Sequence, residues 1–204
     1  MRRLRLALAL VVLVVVSGCT LPGGQLTAEA NPVAVGNDTL DRTGYALDDS
    51  ATIALNETVG IDGEDRTVGV KNHIETYAHG DHAGRFAVFS TPSPEANGTP
   101  INPFAKPSER RDVGRMLGEV NNTSALTVEN RQNVTLVGQP TELVTYATTN
   151  RSANGTTPVY VHVAVVQNGG DAVVAVGVNP QSIDAADATK RLVEGVEYGK
   201  QHEG

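Results

Sequence analysis

The sequence predicts an α+β fold, a mostly antiparallel β-sheet with two to three helices packed on it, forming a single domain over residues 28–204. Three patterns carry the prediction. Apolar and polar residues alternate through several stretches, as half-buried strands require. Apolar residues recur at helical spacing behind capping side chains. Gly- and Asn-containing turns separate the strand-like runs.

Taken in order, Leu26 to Val35 reads as a strand, and Gly36, Asn37 and Asp38 offer a start for a short helix ending near Gly44. Thr52 to Ile61 and Arg66 to Tyr77 alternate on either side of Asp62-Gly63-Glu64-Asp65, which predicts a hairpin. Arg85 to Ser90 supplies a further strand. Thr91 to Pro107 holds five prolines, which cannot donate to a regular ladder, so an irregular excursion is expected there. Ser108 and Glu109 cap a predicted helix through Val120 that buries Val113, Met116 and Leu117. Ala125 to Val137, Glu142 to Thr148, Pro158 to Gln167 and Asp171 to Val178 predict a meander, its last turn at Asn168-Gly169. Pro180, Ser182 and Asp184 open a final predicted helix with Ile183, Ala186, Leu192, Val193 and Val196 on its inner face.

The amino terminus has a different logic. Arg2, Arg3 and Arg5 precede an apolar run from Leu6 to Val16, followed by Ser17, Gly18 and Cys19. A charged start, an apolar stretch of roughly 7–15 residues and small residues before a cut describe an export signal, whereas a spanning helix needs about 20. Residues 1–18 are therefore expected to be a signal peptide and residues 19–27 the anchor and a short linker. Val16-Ser17-Gly18-Cys19 resembles the lipobox of bacterial and archaeal lipoproteins, which implies a lipid on Cys19 and a location on the outer face of the membrane. Cys19 is the one cysteine of the chain, so no disulfide is expected to staple the exported domain. The Arg2-Arg3 pair leaves the general and twin-arginine export routes both open.

The chain carries 16 basic and 23 acidic residues, a formal charge of −7, and its lysines are Lys71, Lys106, Lys190 and Lys200. Loss of the signal removes basic residues and no acidic ones. In molar salt the Debye length falls to about 3 Å, so an acidic surface repels itself little and stays hydrated. This composition suits salty surroundings. It also excludes a nucleic-acid partner, which needs a basic face.

With these features, Leu40 to Tyr45, Asn72 to Tyr77, Phe89 to Ser93, Asn102-Pro103 and Val176 to Pro180 stand in an order that resembles a family of haloarchaeal surface lipoproteins with a domain of unknown function. The resemblance covers most of the mature chain and implies habitat and location. The element order also resembles the PsbP-like fold, in which helices cover an antiparallel sheet.

Asn-X-Ser/Thr acceptor sites occur at Asn37, Asn56, Asn97, Asn121, Asn122, Asn133, Asn150 and Asn154. Chance would give about two, so N-glycosylation is expected at one or more of the loop sites. His73, His79, Asp81 and His82 form the one metal-like cluster, since imidazole and carboxylate suit zinc. Their spacing lacks the further ligands of metallo-hydrolases, and the expectation is a polar turn with no metal and no cofactor. The sequence leaves the distance of His162 from this cluster open. Gly-X-Ser-X-Gly and phosphate-binding glycine patterns are absent, and paired acids such as Asp48-Asp49 fall in predicted turns. The expected protein is not an enzyme but a binding or interaction module with an envelope protein as partner. The alternative is a metal or small-molecule binder using the sheet–helix crevice, and behind it a hydrolase.

Overall fold

The computed structural model describes residues 26–61, 64–93, 95–96, 99–100, 126–152 and 155–202. Cys19, the signal, Asn97, Asn121, Asn122, Asn154 and the helix expected over residues 108–120 lie outside the described residues.

Long strands dominate. In chain order they are β1 (Leu26–Glu29), β2 (Val33–Val35), β3 (Tyr45–Ile61), β4 (Glu64–His79), β5 (Arg85–Pro92), the short pair β6 (Glu95–Ala96) and β7 (Thr99–Pro100), then β8 (Thr127–Leu136), β9 (Gln139–Ser152), β10 (Gly155–Asn168), β11 (Asp171–Pro180) and β12 (Val196–Tyr198). Among the described residues the helices are α1 (Asn37–Thr43) and α2 (Ala186–Glu194), of 7 and 9 residues.

The main sheet has eight strands in the order β1-β4-β5-β11-β10-β9-β8, with β3 on the other edge of β4. It is mixed, because β1 runs parallel to β4, Leu26 facing Val68 and Glu29 facing Lys71. The expected α+β class is thereby corrected to a mostly β protein around one large mixed sheet. The physical reason lies in the strands. The alternation extends beyond the predicted limits, so β3 starts at Tyr45 instead of Thr52, and β9 runs for 14 residues. The final helix is shorter than expected: Ile183 precedes it, and Val196 belongs to β12 because Gly195 ends the helix.

The strand expected over Leu26 to Val35 is interrupted around Pro32, which has no amide to donate. Its first half joins β4, while its second half pairs antiparallel with β12 in a separate two-stranded sheet. Elsewhere, local chemistry was sufficient. Gly44 ends α1 in the left-handed region at φ 72°. Gly169 and Gly170 turn between β10 and β11 at φ 59° and 89°, where both central residues of the turn need positive φ.

Both faces of the sheet are buried along its central strands. Along β11, Val173 and Ala175 enter one apolar cluster with Tyr77, Phe86, Leu143, Leu192 and Val193, while Val174 and Val176 enter another with Leu126, Tyr146 and Val161. Period-two geometry sends successive side chains to opposite faces, so a central strand covered on both sides reads as an unbroken apolar run. The first face carries α1, α2, β2 and β12.

Candidate functional site

Four of the five histidines divide among three places. His79 and His82 stack face to face at 3.6 Å, and Tyr45 meets His79 edge-on at 5.1 Å. The Asp81 amide donates to His79 Nδ1 at 3.0 Å, and the Gly84 amide donates to His82 Nδ1 at 2.9 Å. Each neutral ring therefore carries its proton on Nε2, which leaves no lone pair for a metal. Burial, with the neighbouring His79, pushes the His82 pKa down. Asp81 is exposed. Gly84 is required here: a Cβ would come within 2.6 Å of Asn179 Oδ1 and of the Tyr45 hydroxyl. The cluster is a turn lock.

His73 sits apart on β4. Its Nδ1 lies 3.2 Å from Thr52 Oγ1, and its Nε2 lies 3.7 Å from Glu29 and lacks a hydrogen bond. Among the described residues no group of three or more His, Cys, Asp or Glu is placed to hold a metal ion. Of the described acceptor sites, Asn37, Asn56, Asn133 and Asn150 are all exposed. Asn37 Oδ1 is bonded to His202 Nε2 at 3.0 Å.

The third place is a cleft of about 470 Å³ where the sheet meets the segment leading into α2. His162, on β10, lines it and is only 2% exposed. Its Nδ1 lies 2.9 Å from Thr145 Oγ1 on β9, and among the described residues Nε2 has no hydrogen-bond partner. Burial pushes its pKa down to about 4, so the ring is neutral at pH 7.

Asn179 fixes one side of the cleft. Its Oδ1 accepts from the Tyr45 hydroxyl at 3.0 Å, and its Nδ2 donates to Thr189 Oγ1 of α2 at 3.2 Å. Across the cleft, a bulge between Val128 and Asn130 interrupts the β8–β9 register. Consecutive strand residues normally face opposite ways, but this bulge lets Glu129 and Asn130 both line the cleft. Among the described residues the lining contains the exposed carboxylates Glu129 and Asp184 and no lysine or arginine.

Sequence reasoning left His162 as a remote possible addition to the other histidines and missed Glu129. The signal for His162 was its parity: it shares a face with Tyr160 and Ala164 on a strand whose other face is continuous valine. It also missed Glu75, a carboxylate 1% exposed on β4. Glu75 accepts from the Tyr77 hydroxyl, from the His202 amide at 2.7 Å and pairs with the His202 ring at 2.8 Å. The Tyr77 hydroxyl in turn accepts from the Val35 amide at 2.8 Å, and burial beside Glu75 raises the phenol pKa.

Fold and cleft together define a mostly β domain with a ligand-sized hollow, lined in part by polar side chains, beside its second helix. The chain belongs to the family described as Domain of unknown function (DUF6517), whose model matches residues 32–197. It is also similar to the solution structure of cyanobacterial PsbP (CyanoP) from Synechocystis sp. PCC 6803, with 10% identity, 89% of this chain and 98% of that chain covered, and a TM-score of 0.39. A likeness at that score implies nothing about activity. None of the curated proteins matches the chain.

Proposed function

We propose that this protein is a haloarchaeal surface lipoprotein, held outside the membrane by a lipid on Cys19, whose domain works by binding a small polar molecule and not by catalysis. The cleft carries the reading. It is concave, of ligand size, and holds a few fixed polar groups against an otherwise packed sheet, as small-molecule sites do. His162 has no hydroxyl nucleophile and carboxylate arranged around it as a triad needs: Thr145 lies against its Nδ1, and the carboxylates stand at the exposed rim. The acidic, lysine-poor composition supports the saline habitat, and the residues before Cys19 support the anchor.

Two measurements test the two halves. Cys19→Ser is expected to move the mature protein from the membrane fraction to the medium, and undiminished membrane retention would refute the anchor. A melting screen of the full chain against amino acids, sugars and small amines is expected to return a stabilising shift that His162→Gln removes. No shift from any of these classes would refute the binding role.

A further inference from the structure

The first turn of α2 is open. Its N-cap position is Ala185, which has no side-chain acceptor, and no side chain caps the helix. The first intrahelical amide bond is Thr189 N to Ala185 O at 2.9 Å, so the amides of Ala186, Asp187 and Ala188 have no partner among the described residues. Unpaired amides and the helix dipole make such an end attractive to a carboxylate or another anion. Asp187 stands in this turn but is exposed and makes no cap bond. Ala185 and Ala186 both line the cleft.

A second observation is independent of the helix. The buried His162 lines the same cleft, and its Nε2, without a hydrogen-bond partner among the described residues, leaves one hydrogen bond to be made by an occupant. A neutral imidazole can donate to a carboxylate or accept from an ammonium.

The rim supplies the third constraint. A simple anion drawn to α2 would face Glu129 and Asp184 with no basic residue among the described lining residues to offset them. A simple cation would suit those carboxylates but meet the positive end of the helix. A molecule carrying both charges satisfies both walls, and a cleft of about 470 Å³ accommodates one of amino-acid size.

We propose that the cleft binds a small zwitterion of the amino-acid class, its carboxylate on the open amides of α2 and its ammonium toward Glu129 and Asp184. This rests on the reading of the cleft as a binding site, and the experiment separates the two. Calorimetric titration of the full chain in detergent, at fixed ionic strength, compares alanine with its two charged halves, acetate and methylammonium. Alanine is expected to bind at least tenfold more tightly than either. Asp184→Asn, at an exposed position, is expected to weaken alanine severalfold. Ala185→Ser supplies the missing cap hydroxyl, so it is expected to raise Tm while weakening alanine, a combination that a folding defect cannot produce. If acetate or methylammonium binds as well as alanine, the zwitterion assignment falls and the binding site stands. If none of the three binds to a protein that Ala185→Ser still stabilises, the zwitterion assignment falls, and the sugar arm of the melting screen decides whether the binding site stands.

Discussion

Replacing Glu75 with alanine is expected to destabilise the fold by about 3–5 kcal/mol, since several enclosed donors lose their acceptor at about 1–3 kcal/mol each. The carboxylate is almost wholly enclosed and gathers three donor groups from two parts of the chain: the Tyr77 hydroxyl, the His202 amide and the His202 ring. Ser50 Oγ adds a long contact at 3.5 Å. Alanine would strand all of these donors in a site with little water. His202→Ala should cost less, about 1.5–3 kcal/mol, because the backbone amide and Tyr77 can still donate to the carboxylate. Urea midpoints for both variants, with matched m-values, provide the measurement. An unchanged midpoint in Glu75→Ala would show that the network does not hold the C-terminal segment in place.

The second large effect is a loss of stability in mild acid through His162. Its folded pKa is about 4, against 6.5 when unburied, so between those values the unfolded chain binds the proton and the folded one does not. Stability from this group is therefore complete above pH 6.5 and is lost as the pH falls toward 4, by about 3 kcal/mol in all. His162→Gln keeps a polar group beside Thr145 without a titrating ring. Its stability is expected to fall less steeply than wild type over that window, whatever its stability at pH 7. Parallel acid limbs in the two proteins would show that the ring titrates normally and that its burial does not set its charge.

These expectations mark where sequence patterns stop being informative. Gly44, the Gly169-Gly170 turn and the alternation in β5 and β10 are local, and local chemistry decides them. The partner of β1 is not local. Leu26 to Glu29 reads the same whether it pairs parallel with β4 or continues into Val33, and the interruption by Pro32 is visible only as a single residue. The bulge at Glu129 has no sequence mark either, yet it turns an ordinary solvent-side carboxylate toward the cleft. Glu75 was legible in principle. It stands at the same parity as His73 and Tyr77, so a strand buried on that face had to place a carboxylate inside, where it needs partners. The class prediction failed for a related reason: helical periodicity was assigned to residues after Pro180 that the structure uses as a cleft wall before α2 begins.

The two ends of the domain meet. Val33–Val35 pairs with Val196–Tyr198, Asn31 bonds to Asp171 and Tyr198, and His202 reaches back to Glu75. During synthesis, which runs from the amino end, β2 has no mate until β12 has been made. The meander from β8 to β11 can assemble from neighbours, but the two-stranded sheet of β2 and β12 must wait for the far side of the domain. Until then the growing domain stays open on that side, and the β2–β12 pairing is the clasp that shuts it.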